Sequence, residues 1–135
     1  YSKVGVIIEA KKPMNKAEML KKDNINTKAF QELLLYYLRE RVSGNNHELK
    51  HLIVTNIHEW FIFDVSVFER TFAQNKRLVQ QFVDFEEGRL GGKKTEYFYK
   101  EIAEPAIANI QIETTFTYFD LRDYEKALRN KDSER

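Results

Sequence analysis

The sequence predicts an α/β or α+β fold, a mixed sheet with helices packed on it, and three observations carry that prediction. An apolar, β-branched run at 4–10 is followed by a run of helical spacing at 27–41. Two further β-rich runs, 49–57 and 59–65, stand almost end to end, and helical spacing dominates from Ser66 to Ile110. Strand, helix, paired strands and helices is an order that layers helices on a sheet. The composition can supply the core: 42% of the 135 residues are hydrophobic, and ten Phe with seven Tyr exclude a disordered chain. One domain spanning 1–135 is expected.

The first strand runs through Val4, Val6, Ile7 and Ile8 to Glu9 and Ala10 and reads as buried with a polar end. Pro13 cannot donate to a ladder and holds Lys12 extended, so the strand stops there. The polar, lysine-rich stretch 14–26 reads as a connection or a short helix at 16–21. Thr27 can cap the next helix, which carries Ala29, Phe30, Leu33, Leu34, Tyr37 and Leu38 on its apolar positions and ends near Arg41 with basic residues in its last turn. Ser43-Gly44-Asn45-Asn46 is a turn cluster, and the two β-rich runs after it should form a hairpin. Val67, Phe68 and Phe72 mark one helical face, and Leu78, Val79, Phe82 and Phe85 mark a second. Gly88, Gly91 and Gly92 break the pattern as a flexible turn, since they match neither a phosphate loop nor a dinucleotide fingerprint. A helix over 95–110, interrupted at Pro105, a strand over 114–119 and a charged tail from Arg122 complete the chain.

Charge and composition exclude several function classes. With 22 basic and 21 acidic residues, no overall field points to nucleic acid. Zero Cys excludes disulfides and thiolate metal sites and suits a reducing compartment, so the cytoplasm is the expected location. No apolar run approaches the roughly 18 residues of a membrane span. The chain starts Tyr-Ser-Lys-Val-Gly-Val, directly on a strand pattern and without a signal-peptide charge and apolar region, and reads as a fragment of a longer protein.

Chemistry concentrates at Glu9 and Lys11. They lie two apart at a strand end, so alternation points both to one face, opposite Ala10. A carboxylate is a hard oxygen ligand suited to Mg²⁺, and a neighbouring lysine can orient or deprotonate a water and, as an ammonium, offset charge building on a phosphate. Taken alone, Glu-x-Lys reads as a solvated strand end. Here an apolar strand precedes it, Pro13 follows, and a long amphipathic helix comes next.

The run Val6-Ile7-Ile8-Glu9-Ala10-Lys11-Lys12-Pro13 resembles the second catalytic motif of the PD-(D/E)xK nuclease superfamily, in which an acidic residue and a lysine close the central strand. The helix from Phe30 to Leu38 and the strands His51-Leu52-Ile53-Val54-Thr55 and Glu59-Trp60-Phe61-Ile62-Phe63-Asp64 resemble the elements that follow it in restriction-modification nucleases. The likeness covers roughly the first half of the chain and is closest to the nuclease regions of fused restriction-methylation enzymes (type IIG) and of type I restriction subunits. It implies a restriction-endonuclease-like mixed sheet flanked by helices, with a nuclease core at about 1–65 and a helical extension and final strand at about 66–135. It implies a Mg²⁺-dependent endonuclease acting on double-stranded DNA, with Glu9 as the metal-binding carboxylate, Lys11 as the catalytic lysine and Ala10 as spacer. A methyltransferase or motor domain in the same parent protein is the implied partner, and no membrane is involved.

Two departures qualify the implied site. The family's supporting helix residue is of Gln-x-x-x-Tyr type, but Gln31 stands five positions before Tyr36 whereas Glu32 stands four, so Gln31 and Glu32 are rival candidates. Neighbours on a helix diverge by about 100°, so only one of them can face the strand end. The family's first-motif aspartate has no counterpart, because nothing acidic precedes Glu9. It is expected upstream in a longer protein; the alternatives are another carboxylate in its place, or a non-catalytic DNA-binding or assembly module that keeps the nuclease fold.

Other groups read more plainly. His47, His51 and His58 fit no zinc spacing and are taken as ordinary histidines. Trp60, Phe61 and Phe63 alternate as core and cross-strand packing does, although aromatic side chains can also stack on bases. Lysines 11, 12, 16, 21, 22 and 28 gather around Glu9 in a nearly neutral chain, either a solvated loop or the footprint of a phosphate-bearing partner.

Overall fold

A computed structural model describes residues 3–90, 94–111 and 113–133; Gly91 and Gly92, part of the expected flexible turn, lie outside the described residues. Its fold is mixed α/β, as the sequence predicts. Four strands, β1 (Val6–Ala10), β2 (His51–Thr55), β3 (Glu59–Asp64) and β4 (Thr117–Asp120), form one sheet in the order β1-β2-β3-β4. β1 pairs parallel with β2, while the β2/β3 and β3/β4 pairs are antiparallel. A parallel pair needs a crossover. Helix α1 (Lys28–Leu38) supplies it and packs against β1 and β2.

β1 was expected to be buried, and among the described residues it stands at the edge of the sheet. Ile7 and Glu9 turn toward α1, whereas Val6 and Ile8 on the other face are 45% and 54% exposed. The apolar residues on both faces suggest burial, yet among the described residues a helix covers only the Ile7 face. The β2/β3 hairpin forms as expected, through a turn in which Asn56 Oδ1 accepts from the His58 and Glu59 N–H groups at 3.1 and 2.7 Å.

Helix α1 buries Ala29, Phe30, Leu33, Leu34, Leu35, Tyr37 and Leu38 completely. Thr27 has the extended backbone of a capping residue, but its hydroxyl makes no capping bond and is buried without a partner. The expected basic last turn falls beyond α1, in a π-helical turn at Arg39–Ser43. Gly44 closes that turn. A Cβ there would stand 2.9 Å from the Glu40 carbonyl oxygen, closer than ordinary contact allows.

Asp64 caps the short helix α2 (Val65–Phe68) through Ser66 N–H, and a π-helical turn at Glu69–Ala73 continues it. The two π-helical turns are tied together: Arg41 forks onto Glu69 at 2.8 and 3.0 Å, and the Tyr37 hydroxyl donates to the same carboxylate at 3.2 Å. Asn75 caps α3 (Lys76–Glu86), which buries Leu78, Phe82 and Phe85. Residues 95–110 run as α4 (Thr95–Tyr97), a π-helical turn (Phe98–Ala103) and α5 (Glu104–Ile110). The interruption expected at Pro105 does not occur: the helical course passes from the π-helical turn into α5 and continues through Pro105.

Two stretches that the sequence left open take definite form, the first as a connection. The stretch 16–21 is a series of turns with a bridge between Lys21 and Asn24, because Met19 and Leu20 anchor it to the core side by side rather than at helical spacing. The charged tail is a helix, α6 (Leu121–Ser133), begun by the Asp120 carboxylate, which accepts from Arg122 N–H at 2.9 Å. Among the described residues no helix is long and apolar enough to cross a membrane.

Candidate active site at the end of strand β1

The period-two alternation of β1 aims Ile7 and Glu9 at α1, and the Lys11 N–H continues the ladder by donating to the Thr55 carbonyl at 2.9 Å. Lys11 therefore follows Glu9 onto the same face. Its ammonium lies 2.7 Å from Glu32 Oε1, 3.0 Å from Glu18 Oε1 and 3.6 Å from Glu9 Oε1. The side chains of Glu9, Lys11 and Glu32 are each 12% exposed, and that of Glu18 is 36% exposed. This is a nearly buried knot of one cation and three carboxylates.

The geometry separates the rivals on α1. Glu32 faces the strand end and Gln31 does not: its amide donates to Asn26 Oδ1 at 3.1 Å and braces the loop before the helix. Tyr36 stands one turn beyond Glu32, close enough that the Glu9 and Glu32 charges, after burial, help raise its hydroxyl pKa. Glu18 has no motif that would announce it, since it comes from the irregular loop.

Three carboxylates around one ammonium leave excess negative charge. Burial first, and then the neighbouring Glu32 carboxylate, push the Glu9 carboxyl up to about 7 against the opposing pull of Lys11. Glu18 is held low by its hydrogen bond to Lys11. Burial lowers the Lys11 pKa, but hydrogen bonds to Glu32 and Glu18 and the surrounding charge outweigh it, so Lys11 stays protonated across neutral pH. A protonated lysine can orient water and offset charge; it cannot take a proton.

Among the described residues no three His, Asp or Glu side chains gather as a metal-ligand cluster. Mg²⁺ is commonly held by one or two carboxylates with several waters. Glu9 and Glu32 fit that sparser form. They are hard oxygen donors, nearly buried, and carry charge that a cation would relieve. Of the aromatic run in β3, Phe61 and Phe63 are fully buried, whereas Trp60 stacks on Phe119 with centroids 6.1 Å apart on the other sheet face.

The model of the family described as "Domain of unknown function (DUF7149)" matches residues 1–135. The chain belongs to the DUF7149 family. No curated protein and no solved structure matches it. The DUF7149 match spans the Glu9, Lys11 and Glu32 positions together with every strand and helix described above.

Proposed function

We propose that this DUF7149 domain is the nuclease core of a restriction-type, Mg²⁺-dependent enzyme that hydrolyses phosphodiester bonds in double-stranded DNA, of the PD-(D/E)xK kind. The observation that carries the reading is the convergence of Glu9 and Lys11, two apart at the end of a strand, with Glu32 from the following helix. Glu9 and Glu32 would hold Mg²⁺, which when bound supplies a Lewis acid for the scissile phosphate and lowers the pKa of bound water. Glu32, brought in from α1, adds a second carboxylate beside Glu9 at the end of β1. Lys11, protonated, orients the attacking water and offsets the charge that builds on the phosphate. A methyltransferase or motor domain in the same parent protein is the partner this reading implies, and the cytoplasm is its compartment.

The second reading is a DNA-binding or assembly module that keeps the fold without the chemistry. It is favoured by the saturation of Lys11, whose ammonium is already shared among three carboxylates. Plasmid nicking by the full protein in Mg²⁺ separates the two. Nicking should fall at least a hundredfold in Glu9→Ala and in Lys11→Met, each checked by melting for a retained fold, with DNA binding preserved. Unchanged nicking in both variants moves the chemistry away from Glu9 and Lys11, and a wild-type protein that binds without nicking supports the module.

A further inference from the structure

We propose that the groove between the 13–22 loop and the β2/β3 turn carries the phosphate backbone of duplex DNA toward Lys11, by contacts that do not read sequence. The inference rests on the nuclease reading and deepens it. The groove has a volume of about 560 Å³, and Lys16, Lys21, Lys22, His58 and Arg122 bring basic groups to its walls over a floor of Met19 and Leu20. In a chain of net charge +1, that is a local concentration of cations.

The charges differ in how far they are already used. Arg122 is clamped on Asp120 at 2.7 Å. Lys16, Lys21 and Lys22 are exposed, and the ion pairs among the described residues all use other cations. Lys22 is held over the Tyr118 ring, 4.3 Å from its centroid. The acidic residue of the groove, Glu59, is engaged by Asn56 Nδ2 at 3.1 Å and by the Tyr118 hydroxyl at 2.9 Å. Three lysines are thus left facing solvent together, the arrangement that releases counterions when it meets a polyphosphate.

Two features tie the groove to the site and to backbone contact. The loop that presents Lys16, Lys21 and Lys22 also presents Glu18, which reaches Lys11 at 3.0 Å. On the facing wall Asn56 follows Thr55, whose carbonyl accepts from the Lys11 N–H. The groove and the catalytic end of β1 are two sides of one loop. Base edges are read by amides, forked donors and cations that reach into a groove, whereas most contacts of surface cations with a duplex go to its phosphates. Asn56 is the groove's one amide side chain, and both ends of that amide are spent inside the turn.

The test is anisotropy of labelled 25-base-pair duplexes with EDTA present, over a series of salt concentrations, comparing wild type with Lys16→Ala/Lys21→Ala/Lys22→Ala. A Lys76→Ala/Lys100→Ala variant, altered at exposed positions elsewhere, is the control. At about 0.9 per phosphate contact, the slope of log affinity on log salt should drop by roughly 2 to 3 in the triple variant. Affinity should fall at least tenfold, equally for two unrelated sequences, with melting and the control unchanged. A triple variant that binds with wild-type affinity and slope overturns the groove, and so does a loss confined to one sequence or to RNA. Plasmid nicking tells the two failures apart: nicking that depends on Glu9 and Lys11 with an indifferent groove sinks this inference alone, whereas a wild-type protein that neither binds nor nicks duplex sinks both.

Discussion

Glu9 is the residue whose state responds most to its surroundings. Folding raises its carboxyl from the ordinary 4.5 to about 7, so the folded chain holds that proton over a range in which the unfolded chain has lost it. Stability from this group is therefore fully present below about pH 4.5 and is lost as pH rises through about 7. With EDTA present, wild type should lose on the order of 2 kcal/mol between pH 5 and pH 8 from this group. Glu9→Gln should remove most of that loss, matching wild type at pH 5 and exceeding it at pH 8. Urea melts at the two values check it, and a wild type equally stable at both would show that Glu9 is not perturbed. Added Mg²⁺ should restore wild type at pH 8 and leave Glu9→Gln unmoved, because a cation held by Glu9 favours the ionised carboxylate.

At the scale of elements, the β2/β3 turn sets one wall of the groove and carries a local conflict. Ile57 has φ of 84°, in the left-handed region that a β-branched residue rarely adopts, and its side chain is 60% exposed. Asn56 and Thr55 over-determine the turn, the first through Oδ1 and the second through its hydroxyl, which accepts from the Ile57 N–H at 3.0 Å. Ile57→Gly relieves the strain and removes little packing, so it should stabilise the protein by about 1 kcal/mol. A lower melting temperature in this variant would mean that Ile57 contributes contacts which outweigh its backbone cost.

At the scale of the whole molecule, one buried cluster joins both halves of the described chain. Residues of the first half such as Phe30, Leu52 and Phe63 belong to the same buried cluster as Phe82, Phe98 and Ile107 of the second. Phe98 is central to the second half, edge-on to Phe82 at 6.3 Å and tilted against Phe85 at 5.4 Å. Its π-helical turn, Phe98–Ala103, packs on α1, the helix that carries Glu32. Phe98→Ala should cost about 3–5 kcal/mol and lower the stability of the whole chain in a single transition. Near- and far-ultraviolet circular dichroism would then change together on heating. Two separated transitions would show that the segment after residue 66 unfolds by itself.

The sequence by itself determined the alternation of strand, helix, hairpin and helices, because the apolar period changes from two to 3.6 at each boundary. It also determined that Glu9 and Lys11 share a face, since residues two apart on a strand must. Helical spacing could narrow the supporting residue to Gln31 or Glu32 and go no further: it defines faces of α1 without saying which one meets β1. Only the tertiary structure decided for Glu32, brought in Glu18 from a loop without periodicity, and placed β1 at the edge of the described sheet. The protonation of Lys11 was decided there too, because it depends on how many carboxylates the packed elements bring within reach of one ammonium.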